Sequence, residues 1–285
     1  DTSETKRDDL IEKLLAQPEF VDYWAYRLSD LFLISSKKLR PQALKAYYDW
    51  LRGEIEKITP WDQLVRQVVA AKGDTLKNGA ANFYSIHQDP ETMAENVSQA
   101  FMSLSINCAK CHNHPLEKWT NDQYYGMANM FSRVRGKGSR IVFTDTQGEL
   151  LQPSTGRPQP PRPLDAEAVA FDDPTDRRVH LARWLTSPDN RYFSRSIANR
   201  VWANFFGVGL VEKVDDMRVT NPASNELLLD AVADYLVTEK FDLKKLVRAI
   251  LTSSSYQRSS RTVEGNETDD RFYSRYYPRR LQAEV

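Results

Sequence analysis

Cysteine is scarce in this sequence. Only two of the 285 residues are cysteines, Cys108 and Cys111, and two residues separate them. A scaffold held together by several disulfide bridges is therefore excluded, because such scaffolds need more cysteines spread along the chain. The core must be built from side-chain packing alone.

The chain also lacks an excess of charge of one sign and any long apolar run. Its 39 basic and 39 acidic residues give a formal net charge of zero, so no overall field attracts it to nucleic acid or to an anionic membrane. The longest apolar runs, such as residues 31–34, fall far short of the roughly 20 residues that span a bilayer. We therefore predict no nucleic-acid partner and no transmembrane segment in this chain.

The N-terminus gives a further expectation. The sequence starts at Asp1 rather than at a methionine, and nothing near it resembles a secretory leader. We therefore expect a processed or partial chain, for which a missing leader carries no information.

Apolar residues recur at helical spacing through most of the first half of the chain. Pro18 divides the first of these stretches into two helices, and Thr59 and Pro60 have the residue types of a helix cap followed by a first helical position. Asp89 and Pro90 repeat that arrangement. The helices predicted in this half cover residues 6–34 with the break at Pro18, 41–58, 60 onward, 90 to about 104, and 121–134.

The middle of the chain has a different composition. Residues 140–152 predict a small β-hairpin, since two apolar segments flank a turn-rich centre. Residues 152–163 contain five prolines, which disfavour both a helix and a central strand and are typical of an extended connector. Further helices are predicted from about residue 176 and over 193–206, 226–238 and 242–254.

These patterns predict a mainly α fold with a small β-hairpin and a proline-rich connector. We divide the chain into a first helical domain (1–152), a proline-rich linker (153–175) and a second helical domain (176–285). The cysteine pair lies in the first domain, between two predicted helices.

The pair belongs to a Cys-x-x-Cys-His motif, Cys108-Ala109-Lys110-Cys111-His112. This motif is typical of c-type haem attachment, because two thiols can add to the two vinyl groups of one porphyrin while the adjacent imidazole reaches the iron. We therefore predict one covalently bound haem c, with Cys108 and Cys111 as attachment residues and His112 as the proximal iron ligand.

Three other interpretations of the motif stay open. A thioredoxin-type dithiol also uses Cys-x-x-Cys, although such pairs typically follow a strand and none is predicted before Cys108. A zinc site would use the two cysteines with His112 and His114, but ligands so crowded would strain a tetrahedral geometry. The third interpretation is two structural cysteines beside a chance histidine.

The second axial ligand of the predicted iron is open as well. Histidine and methionine both serve in this role. His87, before the helix that leads to the motif, and Met127, on the helix that follows it, are our distal candidates. For Met127 core packing is the alternative, and for His87 a surface loop position. An iron with five ligands would instead be open to small molecules or to peroxide chemistry.

Several longer strings resemble a known family. In the first half they are Phe101-Met102-Ser103-Leu104, the motif with Asn113-His114-Pro115, Lys118-Trp119-Thr120 and Tyr124-Tyr125-Gly126. They resemble the cytochrome-like domain of large secreted proteins of planctomycetes and related bacteria, domain of unknown function 1549.

The second half resembles the usual companion of that domain, domain of unknown function 1553. The matching strings are 184–190, 199–202, 206–212, 215–216, 221–222 and 255–257. The resemblance covers nearly the whole chain, and it implies that the early part of the first domain and the end of the second lie outside this sequence.

The resemblance implies an exported protein of the periplasm or cell envelope, often with a further cytochrome domain upstream. Haem c is attached on the outer side of the inner membrane, so the predicted haem implies the same location. We therefore expect electron transfer, with redox proteins and other cytochromes as partners. A haem-dependent oxidative enzyme acting on a small molecule or glycan is the alternative, and a structural envelope module is a third class.

Overall fold

The computed structural model describes residues 3–87, 89–138, 140–278 and 280. Eleven α-helices account for most of the regular structure in these residues, so the predicted mainly α fold is confirmed. The helices are α1 (Lys6–Leu15), α2 (Pro18–Leu31), α3 (Pro41–Glu56), α4 (Trp61–Val69), α5 (Phe83–Ile86), α6 (Pro90–Met102), α7 (Asn121–Asn129), α8 (Arg177–Leu185), α9 (Arg191–Phe206), α10 (Glu226–Thr238) and α11 (Leu243–Thr252).

Most helices begin at a polar side chain that binds a free backbone amide of the first turn. Asp89 accepts a hydrogen bond from the amide of Thr92 at the start of α6. At the start of α7, Thr120 and Gln123 form a reciprocal capping box, in which each side chain binds the other's backbone amide. These two helices flank the cysteine motif, so their caps determine where the motif begins and ends.

The start of α4 differs from the prediction. Thr59 was predicted to cap this helix, but its hydroxyl donates to Glu54 Oε2 at 2.8 Å, and Pro60 occupies the cap position. Gln67 also donates to Glu54 Oε2. The buried carboxylate of Glu54 therefore binds the hydroxyl that the local pattern assigns to the helix amides.

The predicted small hairpin is present, but its strands differ from the predicted ones, and the described residues form two small antiparallel sheets. The strands are β1 (Gly73–Asp74), β2 (Val134–Lys137), β3 (Ile141–Thr144), β4 (Leu151–Gln152) and β5 (Arg157–Pro158). Strand β3 pairs with β2 and β1, whereas β4 pairs with β5. The predicted pairing of 141–143 with 150–151 is therefore wrong, and α7 ends early because residues 134–137 form β2 instead of a further helical turn.

The hydrophobic core crosses the predicted domain boundary. Helix α6 packs on α9, and α4 packs on α8. Trp61 of α4 stacks on Phe193 of α9, with ring centroids 6.4 Å apart, and contacts Phe101 of α6 on another side. The division into domains stays a prediction, and the last five positions of the predicted second domain lie outside the described residues.

The first turn of α8 joins the two halves through buried charge. Arg178 is fully buried and donates to the carbonyl of Ala71, at 2.8 Å, while it is paired with Asp176 at 2.7 Å. Arg177 forms a two-pronged ion pair with Glu149, with both distances 2.8 Å. Over the stretches that the structure describes, no helix combines the length and the apolar character that a bilayer crossing requires.

Candidate functional site: the cysteine turn

The cysteine motif lies on a short 3-10 turn between α6 and α7. Helix α6 ends at Met102 and is capped by Ser103, which adopts a left-handed conformation with φ of 54° and so redirects the chain. Its hydroxyl lies 2.7 Å from that of Ser196 on α9, and its carbonyl accepts from the amide of Met217 at 2.9 Å. The chain therefore enters the 3-10 turn, Asn107–Lys110, from a point held by the second half of the molecule.

Asn121, the first residue of α7, holds this turn in place. Its side-chain amide donates to the carbonyl of Ala109 at 2.8 Å and to that of Lys110 at 2.9 Å. Its backbone amide donates to Asn113 Oδ1 at 2.9 Å. Ala109 itself is completely buried. The inner side of the turn is therefore held by α7, and only its outer side faces solvent.

Cys108 and Cys111 lie on that outer surface. Both are exposed and neither forms a disulfide. The amide of Cys111 bonds to the carbonyl of Cys108 at 3.4 Å. Side chains three residues apart in a 3-10 helix eclipse one another, with a rise of about 6 Å between them. This separation falls within the range that a disulfide bridges, so the two thiols have the geometry of an exposed dithiol pair.

The histidines beside the pair differ in exposure. His112 is exposed, and its Nδ1 lies 2.7 Å from the carbonyl oxygen of Asn113. Because a carbonyl only accepts, Nδ1 carries the proton and a neutral His112 keeps a lone pair on Nε2. His114 is buried, and its Nδ1 accepts from the amide of Leu116 at 3.2 Å. His114 therefore shapes the loop, whereas His112 is available to react.

A cation from the second half lies near the turn. Arg218 forms a two-pronged ion pair with Asp216, with distances of 2.6 and 2.5 Å. The hydrogen bond that Arg218 donates to Asp216 is the main cause that raises the pKa of Arg218, and a weaker attraction to Cys108 acts in the same direction. Glu117, which follows the motif, accepts from the amide of Val219 at 2.9 Å. The segment around Arg218 is thus fastened beside the cysteine turn.

The two distal candidates lie in the protein interior. Met127 is completely buried in the core. His87 is only 3% exposed, packs against Phe83 with ring centroids 4.8 Å apart, and has Nδ1 3.3 Å from the side-chain amide of Asn96. Burial, followed by the charge of Lys38, lowers the pKa of His87 to about 4. The surface-loop alternative for His87 is therefore wrong, since the side chain is inside the fold.

The haem and metal-binding predictions are wrong. Within residues 3–87, 89–138, 140–278 and 280, no group of three or more His, Cys, Asp or Glu side chains converges in a way that would hold a metal ion. Cys108, Cys111 and His112 are adjacent in sequence, yet they do not form such a group with each other or with His114. The residues at this turn therefore do not form a group that holds a metal ion, and the alternative zinc site is wrong as well.

Two contacts of the site could not be predicted from the sequence pattern. Asn121 has no unusual feature for a residue in the first turn of a helix. Its hydrogen bonds to Ala109 and Lys110 depend on the 3-10 turn, which the sequence pattern did not predict. Arg218 lies more than a hundred residues from Cys108, so only the tertiary fold brings them together.

These features define the class of protein: mainly helical, with an exposed cysteine pair on a turn that both halves of the chain hold in place. Residues 1–136 match the family described as protein of unknown function (DUF1549), and residues 177–285 match the one described as protein of unknown function (DUF1553). The chain therefore belongs to the proteins in which these two regions follow one another in this order, which confirms the resemblance. No curated protein and no solved structure matches it.

Proposed function

We propose that Cys108 and Cys111 form a thiol redox centre that exchanges electrons with disulfides of other proteins in the bacterial envelope. The observation that carries this proposal is the exposure of both thiols on one edge of a fixed 3-10 turn. A pair three residues apart on such a turn can alternate between dithiol and disulfide without a large backbone change.

The reaction is a thiol–disulfide exchange in two steps. The Cys108 thiolate attacks one sulfur of a partner disulfide, and the other partner sulfur leaves as a thiolate that takes up a proton. The Cys111 thiolate then attacks Cys108 in the mixed disulfide, and the second partner sulfur leaves. The partner gains two electrons and two protons, while Cys108 and Cys111 lose them and form a disulfide.

We assign Cys108 the attacking role, because it is the cysteine that lies on the side of Arg218, and reactive cysteines have a cation nearby. Cys111 lies on the side of the turn that faces Tyr125, whose hydroxyl donates to the carbonyl of Lys110 at 3.3 Å. We assign Cys111 the resolving role and His112 Nε2 that of a nearby proton acceptor.

The envelope location that the family resemblance implies would suit this chemistry. Disulfides persist in the periplasm and on cell surfaces, whereas cytosolic thiols are kept reduced. Electron transfer in the envelope, expected from the family resemblance, is therefore retained as a proposal with thiols in place of an iron centre. Its partners would be proteins that carry an accessible disulfide or dithiol.

The test uses the whole chain with Cys108→Ala, Cys111→Ala and the double variant. After incubation with a glutathione redox buffer and alkylation of free thiols, intact mass should show the wild type unalkylated and lighter by two hydrogen atoms as one internal disulfide forms. Cys111→Ala should accumulate a glutathione mixed disulfide at Cys108 faster than Cys108→Ala does at Cys111.

Two results would contradict the proposal. One is a wild type whose two thiols stay reduced, or form mixed disulfides without closing the internal bridge. The other is protein from its natural host that carries a covalent adduct on both sulfurs, removed only in the double variant, because sulfurs in thioether bonds cannot exchange electrons.

A further inference from the structure

A second site lies in the other half of the molecule, in a cavity of about 770 Å³. The start of α9, the end of α8, the segment around Arg218 and the first turn of α10 form its walls. The volume falls within the range of pockets that bind small organic ligands. The cavity is therefore large enough for a ligand of several rings.

Two aromatic side chains form part of the wall, Trp184 and Tyr192. Neighbouring groups hold Tyr192, because its ring lies 5.9 Å from that of Trp119 and the Nζ atom of Lys118 is 5.6 Å above it. Fixed aromatic faces offer a contact surface at little conformational cost. They suit a ligand with a flat, weakly polar face.

The rest of the lining supplies both donors and acceptors. Arg218 uses Nε and one Nη for Asp216, and no bond within the described part of the chain engages its other Nη. The Asp189 carboxylate, which is exposed, accepts no hydrogen bond from the described residues. Asn221 donates its amide to the carbonyl of Asp216 at 2.9 Å and keeps its side-chain oxygen for another partner. Hydroxyl groups can use both kinds of partner at once, because each donates and accepts.

Five of the six charged groups that line the cavity already have a partner of opposite sign, and the sixth is Asp189. The ion pairs are Arg195–Glu226, Arg191–Asp230, Arg218–Asp216 and Asp165–Lys118. An anionic ligand would therefore have to displace a carboxylate from its arginine, whereas a neutral ligand need not. A wholly apolar ligand would desolvate these groups without replacing their hydrogen bonds.

We infer that this cavity is a binding site for a neutral carbohydrate, with a sugar ring against Trp184 or Tyr192 and its hydroxyls between Arg218 and Asp189. A pyranose ring combines an apolar C–H face with a rim of hydroxyls, which matches aromatic walls and an edge of mixed donors and acceptors. This inference stands on the cavity alone and does not depend on thiol chemistry at Cys108.

The test is saturation-transfer NMR on the whole chain with cellotriose, xylotriose, mannotriose and maltotriose, followed by calorimetric titration of the tightest binder. Trigalacturonate serves as the charged probe and indole as the apolar probe. We expect one neutral trisaccharide to bind best, Trp184→Ala to weaken it about tenfold, and Asp189→Asn to weaken it several-fold.

Tyr235→Ala is the matched control, because Tyr235 is a surface tyrosine of α10 that does not line the cavity and its loss should leave the affinity unchanged. If Trp184→Ala does not fold, Tyr192→Ala and Asp189→Asn carry the test. Binding of none of the four neutral sugars, tighter binding of either other probe, or full affinity in the folded cavity variants would overturn the inference.

Discussion

The cysteine turn and the first turn of α8 differ in how far their functional side chains are exposed to solvent. At the turn, Cys108 and Cys111 are exposed and the backbone beneath them is held by Asn121. At α8, Arg177 and Arg178 are buried, and their guanidinium groups are bound to carboxylates and carbonyls. The thiols of the cysteine turn are therefore accessible to other molecules, whereas the charges of α8 join two parts of the chain.

The difference follows from the cost of burial. A guanidinium removed from water needs a carboxylate and several acceptors to replace its hydration. Asp176 provides a carboxylate for Arg178. Burial raises the pKa of Asp176, but the hydrogen bonds and charge of Arg178, with the hydrogen bond from Thr144, together lower it below its usual value. Thiols carry no such requirement, since a neutral thiol is a weak hydrogen-bonding group that tolerates either environment.

This difference in burial predicts which substitutions lower the stability most. Removing a buried charge leaves its partner without hydration or a counter-ion, whereas changing an exposed thiol leaves nothing unsatisfied. We therefore expect substitution of the buried arginines to lower the stability more than substitution of the exposed cysteines. Substitution of the cysteines should have the larger effect on redox chemistry.

The largest expected loss is at Arg178. Arg178→Met should lower the free energy of unfolding by about 3–5 kcal/mol, because the buried Ala71 carbonyl and the partly buried Asp176 carboxylate lose their partner. Urea unfolding followed by circular dichroism measures this. Arg140→Met is the matched control, since Arg140 pairs with Asp74 at 3.1 Å but is 62% exposed, and its loss should cost less than about 1 kcal/mol.

Equal losses in the two arginine variants would show that burial does not separate the two kinds of ion pair. A loss below about 1 kcal/mol for Arg178→Met would show that the joint between the halves does not depend on this charge.

The next effect is a pH dependence from His87, a titratable group that is buried like the arginines but unpaired by any carboxylate among the described residues. Its folded pKa of about 4 lies below the ordinary value of 6.5, so between these pH values the unfolded chain binds a proton that the folded chain does not. Stability from this group is therefore present above pH 6.5 and is lost as the pH falls toward 4, by about 3 kcal/mol in all.

His87→Phe removes the titrating group while keeping a ring beside Phe83. Subtracting the variant's unfolding free energy from that of the wild type at each pH cancels the carboxylates common to both. The difference should fall between pH 6.5 and 4 and be flat above 7. A difference that stays constant across this range would show that His87 titrates alike in the folded and unfolded chains.

Local patterns predicted much of the helical framework. Helix α10 begins and ends where the apolar spacing placed it, at Glu226 and Thr238, and the caps Asp89 and Thr120 bind the amides expected of them. These features depend on residues within one or two turns, which a sequence shows directly.

Features that depend on distant residues were missed. Strand β3 pairs with β2 and β1 because the fold brings Gly73 and Asp74 beside it, although about 70 residues separate them in sequence. The sequence around His87 is typical of a surface loop, yet His87 is buried against Phe83 and Asn96. At the site, the motif between two helices was predicted, but the chemistry assigned to it was wrong, because a spacing of cysteines does not reveal whether further ligands converge there.

The smallest expected effect on stability is at the cysteines themselves. Cys108→Ser and Cys111→Ser should each change the free energy of unfolding by less than about 0.5 kcal/mol, because both side chains are exposed and lose no packing. Ala109→Val, in the same turn, is the matched control: Ala109 is completely buried, so the added methyl groups should cost about 1–3 kcal/mol. Urea unfolding of the three variants, with iodoacetamide labelling of the wild type in its native state, checks the contrast between the turn's outer and inner surfaces. A serine variant as unstable as Ala109→Val, or thiols that label only after unfolding, would show that the pair is a packed structural element and would remove the exposure on which the proposed redox centre depends.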